Sequence, residues 1–111
     1  MQYYQVKLLE QAEEFLAGLN PKMKRKILHV LKFAEKSNDP KFFKKLRDDI
    51  WEFRIRQWNW QIRLLAFWEH TPNGLAMVVA THGFIKKTDK TPGNEIERAK
   101  KIRENYFNSK K

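Results

Sequence analysis

The chain has 111 residues, a length that favours a single domain spanning 1–111 and suffices to bury a core without disulfides or metals. It contains no cysteine, which excludes disulfide frameworks, thiol nucleophiles and cysteine zinc sites, and fits a reducing, cytoplasmic location. Its 23 basic and 13 acidic residues give a formal charge of +10, so an anionic partner is expected: nucleic acid, the ribosome, an acidic protein or a lipid surface. The N-terminal segment lacks a signal-peptide pattern, and no apolar run approaches the length of a membrane span.

The N-terminal part of the chain predicts one strand and two helices. Apolar residues alternate with polar ones over 4–8, which indicates a short strand. Two apolar stripes at helical spacing follow, and Asn20-Pro21 separates them. Asn20 is expected to cap the second helix and Pro21 to take its first position. The stripes predict a helical hairpin packed through its apolar faces, formed by Leu9, Ala12, Leu16 and Leu19 in the first helix and by Met23, Ile27, Val30, Leu31 and Ala34 in the second.

The middle of the chain predicts three strands joined by short turns. Residues 41–46 come first and are consistent with one short helical turn. IWEFRIR then alternates apolar residues with Glu52, Arg54 and Arg56. A turn at 57–59 leads to WQIRLLAFW, and a Pro and Asn-Gly turn at 71–74 leads to LAMVVATHGF. Short turns of this kind are typical of an antiparallel meander.

A last helix is expected to open at Pro92, and the order of elements then defines the fold class. Strand, two helices, three hairpin-linked strands and a helix predict an α+β domain. In this arrangement the N-terminal helical hairpin packs on a small antiparallel sheet, and a C-terminal helix follows. The helices are expected to cover one face of the sheet. The other face is expected to be partly open and to carry Arg54 and Arg56.

Two arginines on neighbouring predicted strands are the first candidate site. Arg63 interrupts an otherwise apolar strand, so it either pairs with an acid such as Glu52 or Glu69 or faces an open groove. The turn at 57–59 places Arg54 close to Arg63. Two guanidinium groups on one sheet face repel each other unless an anion lies between them. A permanently charged planar fork also holds phosphate well.

The segment ATHGFIKKTDKTP supplies possible proton carriers at the end of the third strand. His82 is more often a structural residue than a catalyst in such a position, and Lys86 and Lys87 are equally consistent with a solvated loop. A lysine crowded by other cations has its charged form disfavoured, so it can take part in proton transfer. No cluster of metal-ligand residues, phosphate-binding glycine loop or serine nucleophile elbow occurs.

Two segments together resemble a known family. KKLRDDIWEFRIRQWNWQIRLLAFW and VVATHGFIKKTDKTPGNEIERAKKIRENY are similar to the phage-derived Gp49-like, HigB-type branch of the RelE/ParE toxin superfamily, over about residues 44–106. Trp51-Glu52-Phe53-Arg54 matches an aromatic-Glu-x-Arg strand. Arg63 matches the arginine of a Tyr-Arg strand, although Ile62 stands where the tyrosine is usual. The run from His82 to Lys87 matches a His-Gly-Phe-x-Lys-Lys element.

The resemblance implies a RelE-like fold and the toxin of a type II toxin–antitoxin module. RelE- and HigB-like members cut mRNA in the ribosomal A site without a metal or other cofactor, whereas ParE-like members poison DNA gyrase. The implied partners are a HigA-like helix-turn-helix antitoxin, mRNA and the ribosome, with no membrane and no small-molecule cofactor. A basic nucleic-acid-binding module without toxicity stays as a third alternative, which the charge alone supports.

Carried onto this chain, the resemblance implies a set of site residues. Cleavage by the RNA 2′-OH needs a base, cations at the phosphorane and an acid for the leaving 5′-oxygen. Arg54 and Arg63 are expected to hold the phosphate, and Lys86 or His82 to move protons. Bases are expected to stack on exposed aromatic rings. The expected catalytic residues are Arg54, Arg63, His82, Lys86 and Lys87, and the expected RNA-binding residues are Arg56, Trp58, Phe84 and Lys90.

Overall fold

In the computed structural model, which describes residues 2–72, 74, 76–87 and 90–110, the chain forms five strands and three helices. The elements in chain order are β1 (Gln5–Leu8), α1 (Glu10–Ala17), α2 (Pro21–Glu35), β2 (Phe43–Lys45), β3 (Trp51–Gln57), β4 (Trp60–Glu69), β5 (Met77–Lys86) and α3 (Gly93–Asn108). The α+β class is therefore confirmed. None of the helices in the described ranges is long and apolar enough to span a membrane.

The sheet has the strand order β1-β5-β4-β3-β2. Strands β3, β4 and β5 form the predicted antiparallel meander, and β2 adds an antiparallel neighbour to β3. Strand β1 pairs with β5 in parallel, so the whole sheet is mixed rather than antiparallel. The helical turn expected at 41–46 is wrong. Phe43 lies in strand β2, where it pairs with Phe53 of β3, and the two rings stack with their centroids 4.4 Å apart. Pairing across the sheet outweighs the local pattern here.

Two hydrophobic cores lie on opposite faces of the sheet. On one face, α1 and α2 cover Phe53, Ile62 and Leu64. On the other, α3 covers Leu65 and Phe67 through its apolar stripe. We call these the α1/α2 face and the α3 face. The expectation that all helices cover one face is wrong, because Ile96, Ala99, Tyr106 and Phe107 bring α3 against the second face.

The two N-terminal helices form where the sequence predicted them, with Asn20 as the N-cap and Pro21 in the first turn. The Asn20 side-chain oxygen accepts the Met23 backbone N–H at 2.8 Å. The hairpin is held mainly by the sheet, because α1 packs on β5 and α2 packs on β3 and β1.

The β3–β4 hairpin turns on two residues, Trp58 and Asn59, because Gln57 is paired with Trp60. Trp58 has φ 56°, in the left-handed region that the central positions of such short turns require. The predicted turn at 57–59 is thus one residue too long. At the predicted 71–74 turn, Gly74 has φ 88°, while Asn73 lies outside the described residues.

Gly83 allows α1 to pack directly on β5. A Cβ at this position would lie 2.7 Å from Leu64 Cδ2 and closer still to Phe15 of α1. We expect Gly83→Ala to lower the free energy of unfolding by about 1–3 kcal/mol, because the core must shift to admit the methyl group. Urea denaturation measures the loss. Gly18→Ala is the matched control, since its Cβ meets nothing closer than 3.6 Å, and equal stability of the two variants would contradict the packing argument.

Candidate active site

Three cross-strand rows on the α3 face bring most of the predicted site residues together. Directly opposed residues on antiparallel strands point to the same face. The rows, each read from β3 through β4 to β5, are Glu52–Leu65–His82, Arg54–Arg63–Phe84 and Arg56–Gln61–Lys86. The predicted proximity of Arg54 and Arg63 is therefore confirmed, since the two are direct partners.

A buried carboxylate lies between the two arginines. Glu52 is 3 % exposed, and its Oε1 lies 3.5 Å from Arg63 Nε while its Oε2 lies 3.8 Å from Arg54 Nε. Of the partners left open for Arg63, the structure selects Glu52. Glu69 instead accepts the Tyr106 hydroxyl at 2.7 Å and the Lys110 ammonium at 2.9 Å. The anion that offsets the repulsion between the arginines thus belongs to the protein itself.

Arg63 is the buried member of the pair, with 4 % of its surface exposed. Its Nη1 donates to the Ile62 carbonyl at 3.0 Å and its Nη2 to Gln61 Oε1 at 3.1 Å. Burial lowers the pKa of the Arg63 guanidinium, and Arg54 and Arg56 lower it further, whereas Glu52 opposes the shift. Arginine remains a cation at neutral pH in spite of such shifts, so Arg63 contributes a buried positive charge on the strand next to Arg54.

Three grooves surround the arginine pair, and most of their polar residues are cationic. The first, which we call the arginine groove, has a volume of about 440 Å³ and lies between α2 and β3. The lysine groove, about 320 Å³, lies between β2–β3 and the segment after β5, and the hairpin groove, about 500 Å³, lies at the β3–β4 turn. Arg54 lines the first two and Lys86 the last two. The charged residues lining them are Lys26, Lys41, Arg54, Arg56 and Arg63 in the first, Lys44, Arg47, Glu52, Arg54, Lys86 and Lys90 in the second, and Lys86 and Lys87 in the third.

His82, one of the predicted proton carriers, is buried next to α3. It is 1 % exposed, and its two ring nitrogens contact Thr81 Oγ1 at 2.9 Å and Glu95 Oε1 at 3.1 Å. Burial lowers the pKa of His82, and Arg98 lowers it further, while Glu95 opposes both. In a neutral imidazole Nε2–H donates to Glu95 Oε1, while Nδ1 and the Leu65 carbonyl, which lies 3.2 Å from Thr81 Oγ1, compete for the single Thr81 hydroxyl proton. This placement corrects the expectation of an exposed proton carrier, because α3 covers the ring.

The lowered pKa of His82 predicts acid sensitivity of the fold. The unfolded chain binds the proton more readily, so this contribution to stability is fully present above the ordinary value of 6.5 and is lost as the pH falls through the folded pKa. We expect the urea midpoint to be lower at about pH 5.5 than at about pH 7.5, and His82→Gln to reduce that difference. His29→Gln, at an exposed position of α2, should preserve it; an unchanged pH dependence in His82→Gln would refute the assignment.

The two aromatic residues expected to stack on RNA differ in exposure. Trp58 is 61 % exposed at the tip of the β3–β4 hairpin, and the Lys22 ammonium lies 5.2 Å from its ring centroid. Phe84 is partly buried against the core of the α3 face, with its ring 6.2 Å from that of His82. Trp60, which is not among the predicted site residues, follows Trp58 by two positions, is 43 % exposed and lines the hairpin groove.

Several residues of this region were not chosen as site residues from the sequence. The sequence predicts Glu52 only as a pairing partner of Arg63, although its position on the same face of β3 as Arg54 already indicates that it belongs to the site. Thr91 donates its hydroxyl to Glu52 Oε1 at 2.6 Å, a contact across 39 positions that no local pattern reveals. The same holds for Lys26, Lys41, Lys44 and Arg47, which reach the grooves from α2 and the β2 region. Within the described ranges, no three His, Cys, Asp or Glu side chains are grouped to hold a metal ion.

Comparison with known structures shows the fold. The chain is 17 % identical to a mutant of the Escherichia coli toxin RelE in the free state, with a TM-score of 0.59 over 91 % of this chain and 97 % of that one. It is 21 % identical to a chain of the toxin–antitoxin complex RelBE2 from Mycobacterium tuberculosis, with a TM-score of 0.54 over 75 % of this chain and 98 % of that one. The RelE-like fold implied by the resemblance is therefore confirmed.

Comparison of sequences shows the family. No curated protein has significant similarity to the chain. A family model described as Phage derived protein Gp49-like (DUF891) matches residues 14–104, which include both arginines, the buried glutamate and the His-Gly-Phe-x-Lys-Lys element. The resemblance identified from those motifs is confirmed, and the chain belongs to the phage-derived Gp49-like family.

Proposed function

We propose that the protein is the toxin of a type II toxin–antitoxin module and acts as a ribosome-dependent mRNA endoribonuclease. The observation that carries this proposal is the pairing of Arg54 with Arg63 beside a groove lined by Lys86 and Lys90. An RNA phosphate is the natural ligand of such a group of cations. The RelE-like fold and the Gp49-like family support the same conclusion.

The arginine pair supplies the electrostatic part of the reaction. Attack of the RNA 2′-OH on the adjacent phosphorus gives a phosphorane that carries additional negative charge. Arg54, whose side chain is 35 % exposed, reaches that charge directly, and Arg63 adds a buried positive charge behind it. Cations fixed before the reaction stabilise the transition state without reorganising during it. This mechanism gives the protein a way to cleave RNA without a metal ion.

The proton transfer is assigned to a lysine rather than to His82. Lys86 lies in the row next to the arginine pair on the same face and lines the lysine groove, so we assign it the proton-transfer role closest to the phosphate. Lys87 is exposed at the hairpin groove, where it is placed to bind the RNA backbone. Because His82 is covered by α3, it supports the site through β5 rather than touching RNA.

The remaining cations and rings form the RNA-binding surface. Arg56 and Lys90 line the arginine and lysine grooves on either side of Arg54. Trp58 offers an exposed ring for a base to stack on, while Phe84, partly buried, offers an edge. The net charge of +10 attracts ribosomal RNA over a longer range. This target is cytoplasmic, and we propose a HigA-like helix-turn-helix antitoxin as the neutralising partner, in line with the toxin–antitoxin complex among the structural relatives.

Induction in a bacterial host with mapping of mRNA 5′ ends tests the proposal. We expect growth arrest within one generation and new 5′ ends that keep a fixed phase with the reading frame, because the ribosome presents one codon at a time. Co-expression of the proposed helix-turn-helix antitoxin should relieve both effects. Growth arrest with DNA damage signalling and no new transcript ends would indicate a gyrase poison instead, and no growth defect at all would leave only a basic nucleic-acid-binding module.

A further inference from the structure

The buried carboxylate of Glu52 has contacts that pairing with a single arginine does not require. Its Oε1 faces Arg63 Nε and the Thr91 hydroxyl, and its Oε2 faces Arg54 Nε. These partners come from β3, β4 and the segment between β5 and α3. We infer that Glu52 is a positioning residue that holds both phosphate-binding arginines in place and anchors the segment carrying Lys90 to the sheet. Its effect on cleavage rests on the proposed function.

The geometry explains how one carboxylate can position two arginines and still leave the terminal nitrogens of Arg54 available to bind phosphate. Both closest approaches are through Nε, the guanidinium nitrogen nearest the main chain. The contact with Glu52 therefore does not use the terminal nitrogens of Arg54, which are the atoms best placed to form a fork on a phosphate. Arg63 Nε is buried and makes no hydrogen bond in the described structure. The negative charge of Glu52, whose Oε1 lies 3.5 Å from Arg63 Nε, offsets the cost of burying this part of the guanidinium.

Charge is the reason for a glutamate at this position. Two adjacent guanidinium groups repel each other, and the repulsion grows as they leave water. A neutral side chain of the same shape would occupy the space without offsetting it. The exposed member, Arg54, would then turn away from Arg63 into solvent, and a displacement of about 1 Å at a catalytic cation is enough to slow a reaction by about 100-fold.

Thr91 extends the effect of Glu52 to the lysine groove. Its hydroxyl donates to Glu52 Oε1 at 2.6 Å, the shortest of the carboxylate's contacts. Thr91 and Lys90 both line this groove and lie directly before Pro92, the N-cap of α3. The hydrogen bond therefore fixes one end of the groove relative to the strand that carries Arg54. Only 4 % of the Glu52 side chain is exposed where it lines the groove, and its oxygens face Arg54, Arg63 and Thr91, so it acts through these neighbours.

The first test is Glu52→Gln, which keeps the size of the side chain and an oxygen for Thr91 but removes the charge. We expect kcat for cleavage of ribosome-bound mRNA to fall by about 10- to 100-fold with KM changed by less than about threefold. Glu69→Gln is the matched control, because Glu69 also accepts two hydrogen bonds but lies among Tyr106 and Lys110, and it should cleave like the wild type. Unchanged kcat in Glu52→Gln would overturn the inference.

The second test separates the hydrogen bond from packing. Thr91→Val keeps the shape and loses the donor, so we expect about a fivefold to tenfold lower kcat, the order expected for the net loss of one hydrogen bond. Thr91→Ser keeps the hydroxyl and should restore most of the rate. Equal loss in both variants would assign Thr91 a packing role only and would remove the anchoring part of the inference.

A spectroscopic measurement tests the positioning independently of any activity. In the purified wild-type protein, NMR signals of Arg54 and Arg63 Nε–Hε should be shifted by the neighbouring carboxylate, and the buried Arg63 signal should also exchange slowly with water. In Glu52→Gln both signals should move towards the position of a solvated arginine, while Glu69→Gln leaves them unchanged. If the wild type fails to cleave mRNA, the proposed function fails, yet these signals still decide whether Glu52 positions the arginines. Signals that do not respond to Glu52→Gln refute the positioning.

Discussion

Arg54→Ala is expected to lower cleavage of ribosome-bound mRNA by about 100- to 1,000-fold, the usual cost of removing one fixed group that stabilises transition-state charge. Of the two arginines, Arg54 is the better residue to substitute in a test of catalysis, because its side chain is 35 % exposed and lines two grooves. Its removal leaves Glu52 paired with Arg63, so the fold should survive. Arg54→Lys should recover only part of the rate, because an ammonium cannot form the same fork on a phosphate.

The matched control for Arg54→Ala is Arg25→Ala. Arg25 is exposed on α2 and lines none of the three grooves described above, so the substitution removes the same charge from the molecule. It should lower the rate by less than about threefold, through the long-range field alone. Single-turnover cleavage on ribosomes at fixed ionic strength measures both variants. Equal rates for Arg54→Ala and the wild type would remove Arg54 from the active site.

Arg63→Met is expected to lower the free energy of unfolding by about 3–5 kcal/mol, because it leaves the Glu52 carboxylate buried with only the more distant Arg54 as a counter-charge. Arg63 therefore cannot serve as a clean probe of catalysis on its own, since loss of activity could follow from loss of the fold. The double variant Arg63→Met/Glu52→Leu should recover most of the stability, since a well-packed apolar pair replaces a buried ion pair at little cost.

Urea unfolding of the wild type, Arg63→Met and the double variant tests this expectation. Cleavage activity of the double variant then tests whether the ion pair is needed for catalysis. The double variant should fold like the wild type yet cleave mRNA about 1,000-fold more slowly, because neither the buried cation nor the carboxylate remains. Arg54→Met serves as the control for stability and should cost less than about 1 kcal/mol at its partly exposed position. A stable Arg63→Met single variant would show that the ion pair in the core matters little.

Much of the fold could be predicted because local patterns and tertiary structure agree over most of the chain. The alternation in β3 and β4, the cap at Asn20 and the stripe in α3 each specify an element by local chemistry. The proximity of Arg54 and Arg63 followed from the hairpin, but the predicted turn was one residue too long, so the direct pairing of the two arginines was not predicted. The family could be identified because its motifs are short runs of neighbouring residues, which are visible in the sequence alone.

The remaining features depend on contacts between distant segments. The strand at 43–45 exists because β3 offers it an edge, and its short sequence does not alternate for long enough to show it. His82 is buried because α3 crosses the same face, a packing that no pattern near residue 82 records. The bond from Thr91 to Glu52 is equally non-local. The last two depend on which face of the sheet α3 covers, and the apolar stripe of a helix does not specify that face.

The most direct measurement adds the purified protein to ribosomes that carry a defined mRNA with an empty A site. We expect a single cut within the A-site codon, a 2′,3′-cyclic phosphate at the new 3′ end because the 2′-OH is the nucleophile, and cleavage about 100- to 1,000-fold slower in Arg54→Ala. The same mRNA without ribosomes should remain intact. An uncut message on the ribosome, or a cut that Arg54→Ala makes as fast as the wild type, would contradict the account.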